Sequence, residues 1–284
     1  MNTVGKKQKR LLIDMNAILN SSLLGGKDHE HGRLVTTEEG KETWVNGYLW
    51  GVDKFIVSLA NVLEDYQLAP IDIVGVWDGK NAKAYRQNFL PQYKAGRDKA
   101  PEVYEELTKA REVVNNILRY YGATVVVQDG AEADDVLAFL TQQLKATENI
   151  IWTVDGDLCA LVDDNAHVLR KGEVDENPYG AFPHKHILTY KSLVGDTSDR
   201  IPGAKGFGDA AFVKLVAAFG IEGLDQMLSE IENGTLPSLQ ENVEDLPALA
   251  KVVDDADNVT NSWRAAKLYP QRVNTNSRPL QVLP

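Results

Sequence analysis

Residues 124–140 read Thr124-Val-Val-Val-Gln-Asp-Gly-Ala-Glu-Ala-Asp-Asp-Val-Leu-Ala-Phe-Leu140, and this stretch decides the fold. A β-branched run, 124–127, has the composition of a buried strand and passes through an acidic turn into a helical pattern. That pattern covers 133–145, with Val136, Leu137, Leu140 and Leu144 on one face. The same order recurs on either side. Strands are expected at 11–13, 71–77, 150–154 and 167–169, and helices at 43–66 and 101–121. Such alternation predicts an α/β fold, a mainly parallel central sheet flanked by helices, with ligands bound beyond the carboxyl ends of its strands.

Past Lys171 the texture changes. Residues 172–183 hold two prolines and two glycines, no further strand is expected, and the remainder reads as helical. Two domains follow: 1–185 for the sheet and 186–284 for a smaller helical domain, ending in an extended tail at 270–284.

With 284 residues, 43% of them hydrophobic, the chain has enough apolar material for such cores. Asp14 and Asn16 interrupt the apolar run that follows Lys6-Lys7-Gln8-Lys9-Arg10, so the start reads as a basic tail entering a strand, and not as a signal peptide. No stretch reaches the roughly 18–20 apolar residues of a membrane span. A single cysteine, Cys159, excludes an internal disulfide and points to a reducing cytoplasm.

The net charge of −11 argues at first against a nucleic-acid partner. Between Lys80 and Lys99, however, lie six basic residues (Lys80, Lys83, Arg86, Lys94, Arg97, Lys99) and one acid, Asp98. Charge alone leaves two readings open, a solvated helix face and a phosphate-binding surface.

The acids are placed more tellingly. Asp14 follows the first strand and Asp78 the second; Glu132, Asp134 and Asp135 follow the third; Asp155 and Asp157 follow the fourth. Singly, each group has a structural explanation as a helix cap or a turn. Four strands that all end in acid gather seven carboxylates at one sheet edge, where their repulsion demands cations. Oxygen-only ligands favour Mg²⁺ or Mn²⁺. Two such ions about 4 Å apart suit a phosphodiester displacement.

Farther on, Gly195-Asp-Thr-Ser-Asp-Arg-Ile-Pro-Gly-Ala-Lys-Gly-Phe-Gly208 precedes a helical pattern. Its glycines allow backbone amides to approach a phosphate, the logic of a helix-hairpin-helix contact, while a plain turn between helices remains the alternative. It is not a Walker loop, since no Gly-Lys-Ser/Thr follows.

Together these residues resemble the flap endonuclease and 5′-3′ exonuclease family, especially the free-standing bacteriophage enzymes and the nuclease domain of bacterial DNA polymerase I. The motifs are Leu12-Ile-Asp14, Val76-Trp-Asp78-Gly, Tyr85-Arg86 through Pro91-Gln-Tyr-Lys94 to Arg97, Gly130-Ala-Glu-Ala-Asp-Asp135, Thr153-Val-Asp-Gly-Asp157, Gly195-Asp-Thr-Ser-Asp199 and Ile201-Pro-Gly through Lys205-Gly-Phe-Gly208.

The resemblance implies a PIN-like nuclease core, a helical arch at about 80–100 that is mobile without DNA, and a C-terminal helix-hairpin-helix domain. It implies that Asp14, Asp78, Glu132, Asp134, Asp135, Asp155, Asp157, Asp196 and Asp199 form the metal-binding set. Removing these nine from 41 acids leaves 32 against 30 basic residues, which largely answers the charge objection. Lys83 and Arg86 match basic positions at the scissile phosphate, so they join Asp14, Asp78, Glu132, Asp134 and Asp155 as catalytic. Tyr85 and Tyr93 are expected to stack on unpaired bases, whereas Phe89 reads as core. Lys94 and Arg97 would contact phosphates, as would the hairpin residues Gly203, Lys205, Gly206 and Gly208, with a monovalent cation such as K⁺.

The implied activity is two-metal-ion hydrolysis of DNA from 5′ ends and at 5′ flaps, without a covalent intermediate. It would serve replication or repair by removing flaps and RNA primers. The implied partners are branched or 5′-ended DNA and RNA–DNA hybrid, bound by a monomer, and the implied setting is the cytoplasm of a phage-infected bacterium. No polymerase region follows, so a free-standing activity is expected. Relatives often place basic residues where this chain has Asp209-Ala-Ala211, which predicts weaker duplex binding. Cys159 reads as a small buried apolar residue. His29-Glu-His31 and His184-Lys-His186 lack adjacent cysteines and do not read as zinc sites. The rivals are a nuclease mainly for RNA primers, a DNA-binding protein without catalysis, and a phosphatase using Asp155 as nucleophile.

Overall fold

The computed structural model describes residues 7–37, 40, 42–97, 99–233, 246–276 and 278–284. Lys6 of the basic start and Asp98 of the basic segment lie outside them. In chain order the elements are β1 (Lys9–Asp14), α1 (Met15–Leu24), β2 (Arg33–Thr36), β3 (Glu42–Val45), α2 (Tyr48–Tyr66), β4 (Ile73–Asp78), α3 (Ala84–Gln87), α4 (Pro101–Tyr120), β5 (Thr124–Gln128), α5 (Ala133–Gln143), β6 (Glu148–Thr153), β7 (Ala166–Arg170), β8 (Glu173–Val174), α6 (Ile187–Val194), α7 (Asp209–Glu232), α8 (Pro247–Asp254), α9 (Ala256–Ala266) and β9 (Gln281–Val282).

The chain divides into two compact units. The first comprises 1–82, 97–176 and 269–284; the second comprises 83–96 and 177–268. Residues 270–284, read from sequence as an extended tail, instead belong to the first unit, where β9 pairs antiparallel with β5. A two-residue strand carries too little periodicity to be legible in sequence.

In the first unit the sheet order is β8-β7-β6-β1-β4-β5-β9. The five inner strands are parallel, and the edge strands β8 and β9 are antiparallel. Central β1 is covered on both faces, so Leu11, Leu12 and Ile13 are all fully buried. Burying each such side chain contributes roughly 1.5–3 kcal/mol.

Leu11 and Ile13 share a core with Ile18 of α1, Phe55 and Leu59 of α2, and Val114 and Leu118 of α4. Strand alternation turns Leu12 to the other face, where right-handed connection from β5 back to β6 sends α5. The sheet order reverses about β1: the chain runs outward through β4 and β5, then resumes on β1's other side with β6. The crevice of such a sheet opens at the carboxyl ends flanking this switch point.

The helix expected over 43–66 is two elements. Gly47 precedes α2, and residues 42–45 form β3, antiparallel to β2. Buried Asn46 holds this junction by donating to Leu23 O and accepting from Asp28 N and the Trp44 indole.

The second unit is helical. Its core joins Leu193 of α6, Phe212, Leu215 and Leu224 of α7, Leu249 and Val252 of α8, and Val259 of α9. Helix α7 is broken at Gly220, whose φ of 71° is a conformation that suits glycine. No helix among the described residues is long and apolar enough to cross a membrane.

Candidate active site

In the first unit four of the five parallel strands, β1, β4, β5 and β6, deliver acids to the same sheet edge. Asp14 is the last residue of β1 and Asp78 of β4, while Asp155 and Asp157 lie on the turn after β6. Glu132 is the N-cap residue of α5, and Asp134 and Asp135 occupy its first turn, where acids complement the helix dipole.

Asp14 lies at the switch point and is 4% exposed. Its Oδ1 accepts from Ala17 N at 3.0 Å, capping α1, and its Oδ2 accepts from the Thr153 hydroxyl at 2.8 Å. Burial pushes its pKa up to about 7, and the charges of Asp78 and Asp155 push the same way, outweighing those two hydrogen bonds. Three carboxyls thus share one electrostatic site.

The neighbours are held in place by residues that sequence reading missed. Asn16 donates to Asp78 Oδ2 at 2.8 Å and accepts from Asp78 N at 3.2 Å, and Ala133 N donates to Asp78 Oδ1 at 2.7 Å. The Thr153 hydroxyl accepts from Asp155 N at 2.9 Å, and Asp155 Oδ1 accepts from Asp157 N at 2.9 Å. Arg111 of α4 stacks over Trp77, 4.3 Å from the ring centroid. Burial lowers its pKa and the charge of Asp78 opposes that, which places a cation beside the acid. Asp135 is buried and accepts from Tyr269 N at 2.8 Å. Cys159 is fully buried, and burial pushes its thiol up to about 11, as expected of an inert residue.

Asp196 and Asp199 belong to the second unit. Lys191 Nζ lies 2.9 Å from Asp196 Oδ2 and Lys94 Nζ 3.9 Å from Asp199 Oδ2. Burial works to raise the Asp196 carboxyl, but Lys191 and Ser198 hold it down to about 2. Both acids therefore sit in cationic surroundings of their own unit.

Two of the residues expected to contact DNA, Arg86 and Tyr93, are buried. Arg86 is 2% exposed and donates through Nε to Ala265 O at 3.0 Å and through Nη2 to Lys267 O at 2.8 Å. Its guanidinium fastens 83–96 to the end of α9. Tyr93 is 3% exposed, packed with Leu90, Ile201 and Ala265, so its ring has no face open for a base.

Lys83 is exposed, Tyr85 is half-buried and meets Phe89 edge-on at 5.1 Å, and Arg97 is exposed. Half-buried Lys94 adopts φ 52° in a turn and donates its amide to Asp199 O. The hairpin has Gly203 and Gly206 at φ 64° and 68°, with Gly208 as the N-cap residue of α7. Asp209, expected to repel phosphate, accepts from the Tyr190 hydroxyl at 2.5 Å.

A parallel sheet whose switch point gathers acids is the architecture of a phosphodiester-cleaving enzyme that works with divalent cations. Residues 9–187 match the family model described as 5′-3′ exonuclease, N-terminal resolvase-like domain. The chain belongs to the 5′-3′ exonuclease family, and it is a nuclease.

A 5′-3′ exonuclease of Bacillus subtilis is 28% identical over 260 residues, covering 87% of this chain and 82% of that protein. The thermostable DNA polymerase I of Thermus aquaticus is 31% identical over 205 residues, covering 69% of this chain but only 22% of the polymerase. Among solved structures, the bacteriophage T5 5′-exonuclease with zinc bound superposes with a TM-score of 0.66 at 13% identity, covering 93% of this chain and 90% of its own. The T5 flap endonuclease in a pseudo-enzyme-product complex with DNA and metal ions gives 0.63 at 13% identity, with the same coverage. At such identity the likeness speaks for the fold.

Proposed function

We propose that this nuclease hydrolyses DNA from 5′ ends and at 5′ flaps with two divalent cations, Mg²⁺ or Mn²⁺, in replication or repair. The observation that carries the reading is Asp14: its burial at the switch point raises its pKa to about 7, and the charges of Asp78 and Asp155 push the same way. An arrangement of that kind is costly without a cation and favourable with one.

The donors are all oxygens, which fits hard divalent ions. Asp14, Asp78, Glu132, Asp134, Asp135, Asp155, Asp157, Asp196 and Asp199 are the acids we propose as metal-binding. Such ions, when bound, neutralise the carboxylates, acidify water and stabilise charge on the attacking and leaving oxygens. The chain's own residues orient the ligands: Asn16 fixes Asp78, and Thr153 fixes Asp14 and Asp155. Lys83, exposed on the segment before α3, supplies charge to the phosphate, and Tyr85 offers a partly open ring to an unpaired base. Lys94, Arg97 and hairpin residues Gly203, Lys205, Gly206 and Gly208 track the phosphate backbone, which gives recognition of structure in place of sequence. RNA–DNA hybrid falls within the same reading. So do a monomeric state and a place in the cytoplasm of a phage-infected bacterium.

The test is a 5′-labelled flap substrate incubated with Mg²⁺, beside EDTA and an Asp155→Asn, Asp157→Asn variant. Cleavage near the junction, lost in both controls, is the expected result. Binding without cleavage in Mg²⁺ and in Mn²⁺ would overturn it in favour of a DNA-binding role.

A further inference from the structure

The hairpin of the second unit is tied down by three side chains, from α8, from α9 and from Asp255 between them. Lys251 Nζ donates to Gly206 O at 2.6 Å. Asp255, four residues on, accepts from Lys205 N at 2.7 Å and is steadied by Asn258, whose Nδ2 donates to Asp255 Oδ1 at 2.9 Å. Buried Ser262 accepts from Gly203 N at 3.0 Å. Beneath these, Ala204 N donates to Leu193 O at 2.9 Å and Phe207 N to Ala204 O at 3.0 Å.

A monovalent cation at such a hairpin needs backbone carbonyls turned toward it and otherwise unclaimed. Here the carbonyl of Gly206 already receives an ammonium, a compact point charge with three donors. The residues present therefore do not fit K⁺. They supply what K⁺ would bring, one positive charge and one ordered carbonyl, from the protein's own side chain.

We propose that the hairpin carries a tethered cation, the ammonium of Lys251, and holds the DNA backbone without a bound monovalent ion. The inference rests on the proposed DNA-binding role of the hairpin. The exposed ammonium on Gly206 O places its charge beside the amides of Gly206 and Gly208 that a phosphate would approach. Asp255 is not ion-paired with Lys251: its two oxygens accept from Lys205 N and Asn258 Nδ2.

The experiment has two arms, each in K⁺, Na⁺ or tetramethylammonium chloride at one ionic strength. The first measures anisotropy of a labelled duplex with the full chain in EDTA, where no cleavage occurs. The native protein should bind equally in the three salts. Lys251→Ala should bind about tenfold more weakly in tetramethylammonium, the loss of one charge-assisted hydrogen bond, and recover in K⁺. Lys251→Arg should behave as the native protein. The second arm measures thermal unfolding without DNA: K⁺ should raise the Tm of Lys251→Ala and leave the native Tm unchanged.

Native binding or a native Tm that depends on K⁺ over tetramethylammonium would overturn the inference, as would a Lys251→Ala protein indifferent to all three salts. Absence of duplex binding in every salt would instead overturn the DNA-binding role, and the melting arm would then decide the hairpin's cation by itself.

Discussion

The hydroxyl of Thr153, at the end of β6, donates to the carboxylate of Asp14, at the end of neighbouring β1, at 2.8 Å. The same oxygen accepts from Asp155 N at 2.9 Å, so one side chain sets the positions of two acids. Thr153→Val keeps shape and burial but removes both bonds. Substitutions of this kind beside metal ligands cost about 10–100-fold in affinity or activity. Turnover should fall in that range and the midpoint for divalent cation should rise, while circular dichroism stays native. Unchanged cation dependence would remove Thr153 from the site.

Metal-free protein should be less stable at alkaline than at mildly acid pH. The folded pKa of Asp14 is about 7 against an ordinary 3.8, so between these values the folded state keeps a proton that the unfolded chain has released. The contribution is full below the unfolded pKa and lost as pH rises through 7, an effect on the order of a few kcal/mol. Melting in EDTA from pH 5.5 to 8.5 should show a falling Tm. Mg²⁺ or Mn²⁺ should restore it at the upper end, and Asp14→Asn should flatten it.

Arg86 and Lys83, three residues apart, should separate stability from activity. Arg86→Ala strips the charge-assisted bonds from two carbonyls and should lower stability by about 2–4 kcal/mol. Exposed Lys83→Ala should leave the melt unchanged and reduce turnover on a flap substrate. A stable but inactive Arg86→Ala would mean that its guanidinium leaves Ala265 and Lys267 to reach the substrate.

Asn16 makes a reciprocal pair with Asp78. Asn16→Ala should cost about 1 kcal/mol in denaturant unfolding and weaken cation binding more than Asn16→Asp weakens the fold. Equal cation affinity in Asn16→Ala and the native protein would count against a positioning role.

The parallel sheet and its acids were legible because they leave local marks: β-branched runs, helical periodicity, and carboxylates where strands end. Asn16, Thr153 and Arg111 were not, since an amide, a hydroxyl and a guanidinium signal nothing until the fold sets them beside Asp78 and Asp14. Arg86 was read as part of a basic surface because its acceptors, Ala265 and Lys267, lie about 180 residues away in sequence. Residues 43–45 read as the start of a helix although Thr43, Trp44 and Val45 favour a strand, because the apolar pattern of α2 runs straight into them. Asp209 was judged by its charge alone, and its partner Tyr190 was out of view.

The central claim is that the carboxyl end of this sheet is a divalent-cation site. Crystals soaked in Mn²⁺ and measured for anomalous scattering test it most directly. Peaks are expected within coordination distance of carboxylate oxygens of Asp14, Asp78 and Asp155, absent from Asp14→Asn crystals. Mn²⁺ bound elsewhere while this edge remains free of it would contradict the account.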